Sequence, residues 1–259
     1  MNEANSQNKH SEPVALITGS AQRIGAEIAR KLHHNNYRVI IHCNHSLSAA
    51  NNIVDKLNQS RANSAFVISS DLSQAEGCAE LIDKATNTQG PFAGRLDALI
   101  NNASAFFPTD INESDESINL QNWSTLFDTN LRAPFLLAQQ CSAALKLTSG
   151  SIINITDIHG QRPLSGYSIY SMTKAGLISM TQSLAKELAP KIRVNGVSPG
   201  AILWPEAEID DIDKQQKVLN KIPLKRMGAP ENIAHTVLFL LQNDYISGQI
   251  INVDGGRSL

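Results

Sequence analysis

From Val14 onward the chain alternates short apolar runs with longer stretches of amphipathic character, the pattern of βα units packed on a parallel sheet. Residues 14–18, 38–42, 65–70, 98–101, 151–155, 193–197 and 249–253 read as strands. Their apolar, β-branched content suits strands covered by helices on both faces. A helix is expected after each of the first six, one of them long, over 170–188, where small residues Ala175, Gly176 and Ala185 permit close packing. The expected fold is therefore α/β: a single-domain, Rossmann-type, doubly wound parallel sheet flanked by helices. The rhythm breaks at 202–222, which opens with Trp204 and Pro205 and carries Glu206, Glu208, Asp210, Asp211 and Asp213. Two readings stand for this stretch, a lid over a substrate and a solvated surface helix. Residues 1–12 are polar and read as a disordered tail, leaving one domain over 13–259.

Composition narrows the partner. With 42% apolar residues, 18% charged residues and a formal net charge of -2, nothing suggests a nucleic-acid or membrane surface. A small molecule is the expected partner. No apolar run approaches the roughly 18 residues that span a bilayer, and the first residues lack the apolar core of a secretory signal and the arginines of a transit peptide. Cys43, Cys78 and Cys141 lie far apart, with neither metal-ligand spacing nor an even count for a disulfide framework. A reducing compartment, the cytoplasm, is expected.

The first strand runs into Thr18, Gly19, Ser20, Ala21, Gln22, Arg23, Ile24 and Gly25. Glycines at a strand-to-helix turn let the backbone approach a pyrophosphate, and the helix N-terminus offers free N–H groups and a favourable dipole. In this turn the chain resembles the short-chain dehydrogenase/reductase family, whose motif reads Thr-Gly-x-x-x-Gly-x-Gly, with Arg23 at the middle glycine. Arginine there offers a guanidinium to cofactor phosphates. An NAD enzyme carries a carboxylate after the second strand to hold the ribose 2′-OH, but this chain has His42, Cys43, Asn44, His45 and Ser46. With no carboxylate to repel a 2′-phosphate, NADPH is expected, with Arg23, His45 and Ser46 around the phosphate. His45 as a solvated loop residue is the competing reading. The resemblance further implies Asp71 and Leu72 at the adenine, Asn101 and Ala103 on the ribose-nicotinamide side, and Thr156, Pro199 and Gly200 along the cofactor.

Tyr170 and Lys174 are four residues apart in a helix and so share a face. A nearby ammonium is expected to favour the ionised phenol, lowering a pKa that is near 10 unaided. Tyrosine then serves as proton donor while the cofactor gives hydride. The resemblance implies Asn130 as holder of a water linking the lysine to solvent. It also implies a serine 13 positions before the tyrosine, where this chain has Asp157. A carboxylate beside a carbonyl oxygen gaining negative charge is repelled in the transition state, which disfavours simple ketone reduction. It suits a nitrogen heterocycle, accepting N–H bonds or relaying a proton. The competing reading has Asp157 capping the following loop while Thr156 or Ser165 replaces the serine.

Ser104, Ala105, Phe106, Phe107 and Pro108 follow the fourth strand, and Phe106 is placed to stack on a flat bicyclic substrate. Arg23, this stretch, Asp157 and the run from Pro163 through Tyr167 to Tyr170 together resemble pteridine reductases and dihydromonapterin reductases. That resemblance implies Asp157, Tyr170 and Lys174 as catalytic residues. It implies Phe106, Ser104, Tyr167 and Arg23 as pterin contacts, and a dihydropterin or dihydrofolate as substrate. Pteridine reductases often have arginine where His45 stands. The family commonly forms homotetramers through its long helices and C-terminal region. A carbonyl reductase acting on 3-oxoacyl thioesters, sugars or steroids is the nearest rival, and a non-catalytic nucleotide-binding protein the rival from another class.

Overall fold

The computed structural model describes residues 12–204 and 211–259. Residues 1–11 of the expected tail, and residues 205–210 of the expected lid with Pro205, Glu206, Glu208 and Asp210, lie outside the described residues. Seven strands, β1 (Val14–Ile17), β2 (Arg38–Cys43), β3 (Ala65–Ser69), β4 (Ala98–Asn101), β5 (Ser151–Ile155), β6 (Arg193–Pro199) and β7 (Ile250–Val253), form one sheet. Its order is β3-β2-β1-β4-β5-β6-β7, and every pairing is parallel. This is the doubly wound arrangement, whose order reverses beside β1 and opens a ligand crevice at the strand C-termini.

The core explains why the strands are apolar on both faces. Ala15, Ile17, Val39, Ile41, Ala98, Ile100, Ile153 and Ile155 belong to one cluster with residues of α1 (Arg23–His34), α2 (Leu47–Ser60) and α8 (Pro230–Gln242). Val14, Leu16, Ile40, Leu99, Ile152 and Val194 belong to a second, with α3 (Ala75–Ala85), α5 (Ala133–Thr148) and α6 (Ser168–Glu187). Alternate residues of each strand thus feed opposite layers, as the period of two requires.

The helices depart from expectation in three places. Helix α1 starts at Arg23 rather than near Ala26. Two helices, α4 (Glu116–Phe127) and α5, fill the crossover from β4 to β5, joined by a turn of π-helix at Asp128–Arg132. Beyond β6, α7 (Ile212–Asn220) precedes α8. Glu12, expected in the tail, pairs with Arg38 and Arg61.

Helix α6 is fastened to the sheet by polar as well as apolar contacts. Asn154 on β5 donates to Thr181 of α6 at 2.8 Å and accepts from Asn101 of β4 at 2.8 Å. On the other side a Cβ at Gly176 would lie 2.8 Å from Leu131 of the π turn, so the small residue brings the two helices together. These contacts fix where Tyr170 and Lys174 stand above the strand ends.

Candidate active site

A cleft of about 940 Å³ runs along the C-terminal ends of the strands. Its first wall is the turn after β1. Gly19 has φ +60, and a Cβ there would sit 2.8 Å from Ala103 Cα; at Gly25 a Cβ would meet Asn102 Nδ2 and Gly19 O at 2.5 Å. Both glycines are set by close approach as well as conformation. The N-cap of α1, Gln22, makes no side-chain cap, and the first turn has no acidic residue. Free N–H groups therefore face the cleft without internal anions, a setting suited to a phosphate. Arg23 has φ +54 and makes no ion pair among the described residues. Its backbone takes the left-handed conformation that the usual glycine would adopt at little cost.

His42 supports the same turn from beneath. Gly19 N donates to its Nδ1 at 3.1 Å, so that nitrogen is the acceptor and Nε2 carries the proton given to Ser70 O at 3.1 Å. Burial holds the imidazole down to about 4, with the Ser70 hydrogen bond opposing. Asn102 donates to Thr18 O and Gly19 O, each at 2.9 Å, and completes the clamp.

The other wall carries the reactive groups. Tyr170 Oη donates to Asp157 Oδ2 at 2.8 Å, while Asp157 Oδ1 accepts from His159 N at 2.8 Å. Asp157 thus caps the short helix Ile158–Gly160, as the competing reading had it, and also engages the tyrosine. Neither proposed substitute takes the serine's place, since Thr156 donates to Val197 O at 3.0 Å and Ser165 does not line the cleft. Burial first, and then the adjacent Asp157 carboxylate, push the Tyr170 phenol well above its ordinary value. This corrects the expectation that Lys174 brings it down. The ammonium is 5.6 Å from the ring centroid and donates to Ile155 O at 3.1 Å, so the carboxylate is the nearer charge to the hydroxyl. Lys174 itself is lowered to about 8 by burial, with Asp157 opposing.

Phe106 stacks on Tyr167 at 4.7 Å between centroids and meets Tyr170 edge-on at 4.8 Å. Thr109 N donates to Gly166 O at 2.7 Å, joining the Phe106 loop to the Tyr167 loop. Asn130 holds the same loop from behind. Its Oδ1 accepts from Ala105 N at 2.8 Å and Ser104 Oγ at 3.1 Å, and its Nδ2 donates to Ala105 O at 2.9 Å and Thr173 Oγ1 at 3.2 Å.

Of the residues expected at the site, Gly19, Arg23, Ile24, Gly25, His45, Ser46, Asp71, Leu72, Ala103, Ser104, Phe106, Thr156, Asp157, Tyr167, Tyr170, Lys174, Pro199 and Gly200 all line the cleft. Asn101 and Asn130 do not. Asn101 is turned inward onto Asn154, and its neighbour Asn102 faces the cleft. The side chain of Asn130 is occupied by Ser104, Ala105 and Thr173, which makes it a brace for the loop. His42 and Arg257 were not expected as lining residues, whereas Ile202, Leu203, Trp204 and Val218 belong to the 202–222 stretch for which a lid was one of the two readings. His42 had one legible sign, a polar ring inside an apolar strand; Arg257 had none beyond its position after two glycines.

The comparisons agree with this geometry. A family model described as enoyl-(acyl carrier protein) reductase matches residues 19–258. Pteridine reductase 1 of Leishmania tarentolae is 36% identical over 288 aligned positions, covering 95% of this chain and 96% of its own. The 3-oxoacyl-[acyl-carrier-protein] reductase FabG of Staphylococcus epidermidis is 34% identical over 246, covering 93% and 97%. A 3-oxoacyl-[acyl-carrier-protein] reductase of Synechocystis is 34% identical over 248, covering 94% and 96%.

Two outcomes are expected of the turn itself. Replacing Arg23 by Gly should relieve about 1 kcal/mol of backbone strain and raise the melting temperature by about 2 to 4 °C in calorimetry; an unchanged or lower value would show that the side chain compensates. His42 has a folded pKa of about 4 against an ordinary 6.5, so the unfolded chain protonates first on acidification. Its contribution is complete above about pH 6.5 and is lost as the pH falls toward 4. The stability gap between the protein and its His42→Asn variant should shrink by about 3 kcal/mol between pH 8 and pH 4. Denaturant titration at both pH values measures it, and a constant gap would contradict a buried neutral imidazole.

Proposed function

The chain belongs to the short-chain dehydrogenase/reductase family, and we propose that within it this oxidoreductase uses NADPH to reduce a C=N bond of a dihydropterin to the tetrahydro level. The observation that carries the reading is the Asp157 carboxylate, hydrogen-bonded to Tyr170 at 2.8 Å, at the position where the family resemblance calls for serine. Beside a developing alkoxide it would be repulsive; beside the N–H groups of a pterin it is an acceptor. The half-exposed ring of Phe106 offers a flat surface of matching shape. The 36% identity to a pteridine reductase supports the same choice.

The residues fit the cofactor. Gly19, Arg23, Ile24 and Gly25 would hold the pyrophosphate against the uncapped α1 terminus, and Arg23, His45 and Ser46 the 2′-phosphate, with no carboxylate at the end of β2. Asp71 and Leu72 would border the adenine, and Ala103, Thr156, Lys174, Pro199 and Gly200 the nicotinamide half. Bound there, NADPH supplies the hydride. The protein's part is the proton. Tyr170 stays protonated at neutral pH because burial and Asp157 both disfavour its ionised form. Giving that proton to a ring nitrogen leaves negative charge on the Tyr170–Asp157 pair. The Lys174 ammonium, charged below about pH 8, offsets it. Trp204, Leu203 and Val218 line the same cleft and would help to exclude water from the transfer.

The test is NADPH consumption by the purified protein with dihydromonapterin, dihydrobiopterin, dihydrofolate and an acetoacetyl thioester in parallel, with NADH as control. Pterin turnover with NADPH is expected; thioester turnover without pterin turnover would favour the 3-oxoacyl reductase reading instead. Tyr170→Phe should lower kcat at least about 100-fold while leaving NADPH affinity, measured by fluorescence titration, within about twofold. Asp157→Ser should lose pterin turnover by a similar factor, and equal losses in turnover and cofactor affinity would indicate a damaged fold rather than a missing proton path.

A further inference from the structure

Among the described residues, the lysines and arginines that line the cleft are Lys174, Arg23 and Arg257. Lys174 is buried beneath Tyr170 and Arg23 belongs to the phosphate turn, so both are accounted for by the proposed cofactor. Arg257 is not. It follows β7 in a turn whose backbone is tied down by Asp254, which accepts from Gly256 N at 2.9 Å, Ser258 N at 2.7 Å and Arg257 N at 3.2 Å. That turn is wedged between Gly200, which follows β6, and Pro223, which follows α7. A Cβ at Gly200 would lie 2.6 Å from Asp254 Cβ, and one at Gly256 would lie 2.9 Å from Pro223. The backbone position of Arg257 is therefore rigid, between the 199–204 segment and the residues after α7.

Its guanidinium has no ion pair and no hydrogen bond among the described residues, and it is only partly exposed. Arginine presents a planar fork of donors matched to a carboxylate. Among the described residues, the acidic side chains that line the cleft are Asp71, which accepts from Asn44 and Ser73, and Asp157, which is held by Tyr170 and His159. Neither pairs with Arg257. The chain after α7 adds further positive charge through Lys221, Lys225 and Arg226.

We infer that Arg257 is a specificity-determining residue that binds a carboxylate on the tail of the substrate, so that the site discriminates in favour of an anionic dihydropterin such as dihydrofolate over one with a neutral tail. The inference rests on the dihydropterin reading and deepens it. A partly exposed charge-assisted hydrogen bond corresponds to about a tenfold change in affinity.

The experiment compares dihydrofolate with dihydrobiopterin as substrates of the protein, Arg257→Gln and Arg257→Lys, with NADPH saturating. The ratio of KM for dihydrofolate to KM for dihydrobiopterin should rise about tenfold in Arg257→Gln and substantially less in Arg257→Lys, which keeps the charge. In the unaltered protein, raising salt from about 50 to about 500 mM should increase KM for dihydrofolate more than KM for dihydrobiopterin. A ratio unchanged by Arg257→Gln, or an equal rise for both substrates, overturns the assignment while leaving the dihydropterin reading intact. Turnover of neither pterin by the unaltered protein overturns both.

Discussion

The hydroxyl of Thr18 joins the two halves of the cleft. It accepts hydrogen bonds from Asn102 N at 2.9 Å and Ala103 N at 3.0 Å, and is itself nearly inaccessible to solvent. Through it the turn after β1 is locked to the loop after β4, although 84 residues separate Thr18 from Asn102. Asn102 returns two bonds to the turn, and Ala103 packs under Gly19. Loss of this one oxygen would leave two part-buried backbone donors without this partner at the point where the two walls meet, a larger disturbance than the loss of an ordinary surface hydrogen bond. The positions of Phe106 on one side and Gly25 on the other both depend on it.

Asp157 changes the charge pattern beside the tyrosine without changing the frame that holds it. One carboxylate oxygen is occupied by the backbone of His159, which fixes the rotamer; the other receives the tyrosine. The charge arrangement is consequently Lys174, Tyr170 and Asp157, alternating positive, neutral and negative across a buried space. A serine would remove the negative end and leave the lysine as the charge nearest the phenol. The frame needs no change for that exchange, because Tyr170 and Lys174 are positioned by α6 and its bonds to β5, not by Asp157.

Much of this was legible in the sequence. The seven strands stood out because both faces of each are covered, which leaves long apolar runs between polar turns. The glycine turn and the Tyr170–Lys174 pair were legible because their chemistry depends on local spacing. What escaped depends on tertiary contact. Asn130 takes its partners from residues 25 and 43 positions away, so its bracing role has no local sign. The direction in which Tyr170 shifts depends on burial and on the orientation of a carboxylate 13 residues earlier. Spacing placed the lysine near the ring but was silent on which charge lay nearer the hydroxyl. Arg257 reaches the cleft only because β7 pairs with β6 at the far side of the sheet.

The turn of π-helix at Asp128–Arg132 holds one residue more than an α-helical turn would. Each residue added to a helix rotates all later positions by about 100°. The extra residue therefore sets the angular phase of all of α5 relative to α4: it points Asn130 at Ala105 and Leu131 at Gly176 while keeping Leu137, Cys141 and Leu145 on the sheet. A homologue that lost this residue would have to choose between an intact core and an intact loop brace. The local irregularity is what lets a single continuous rod of helix serve two surfaces whose orientations do not match.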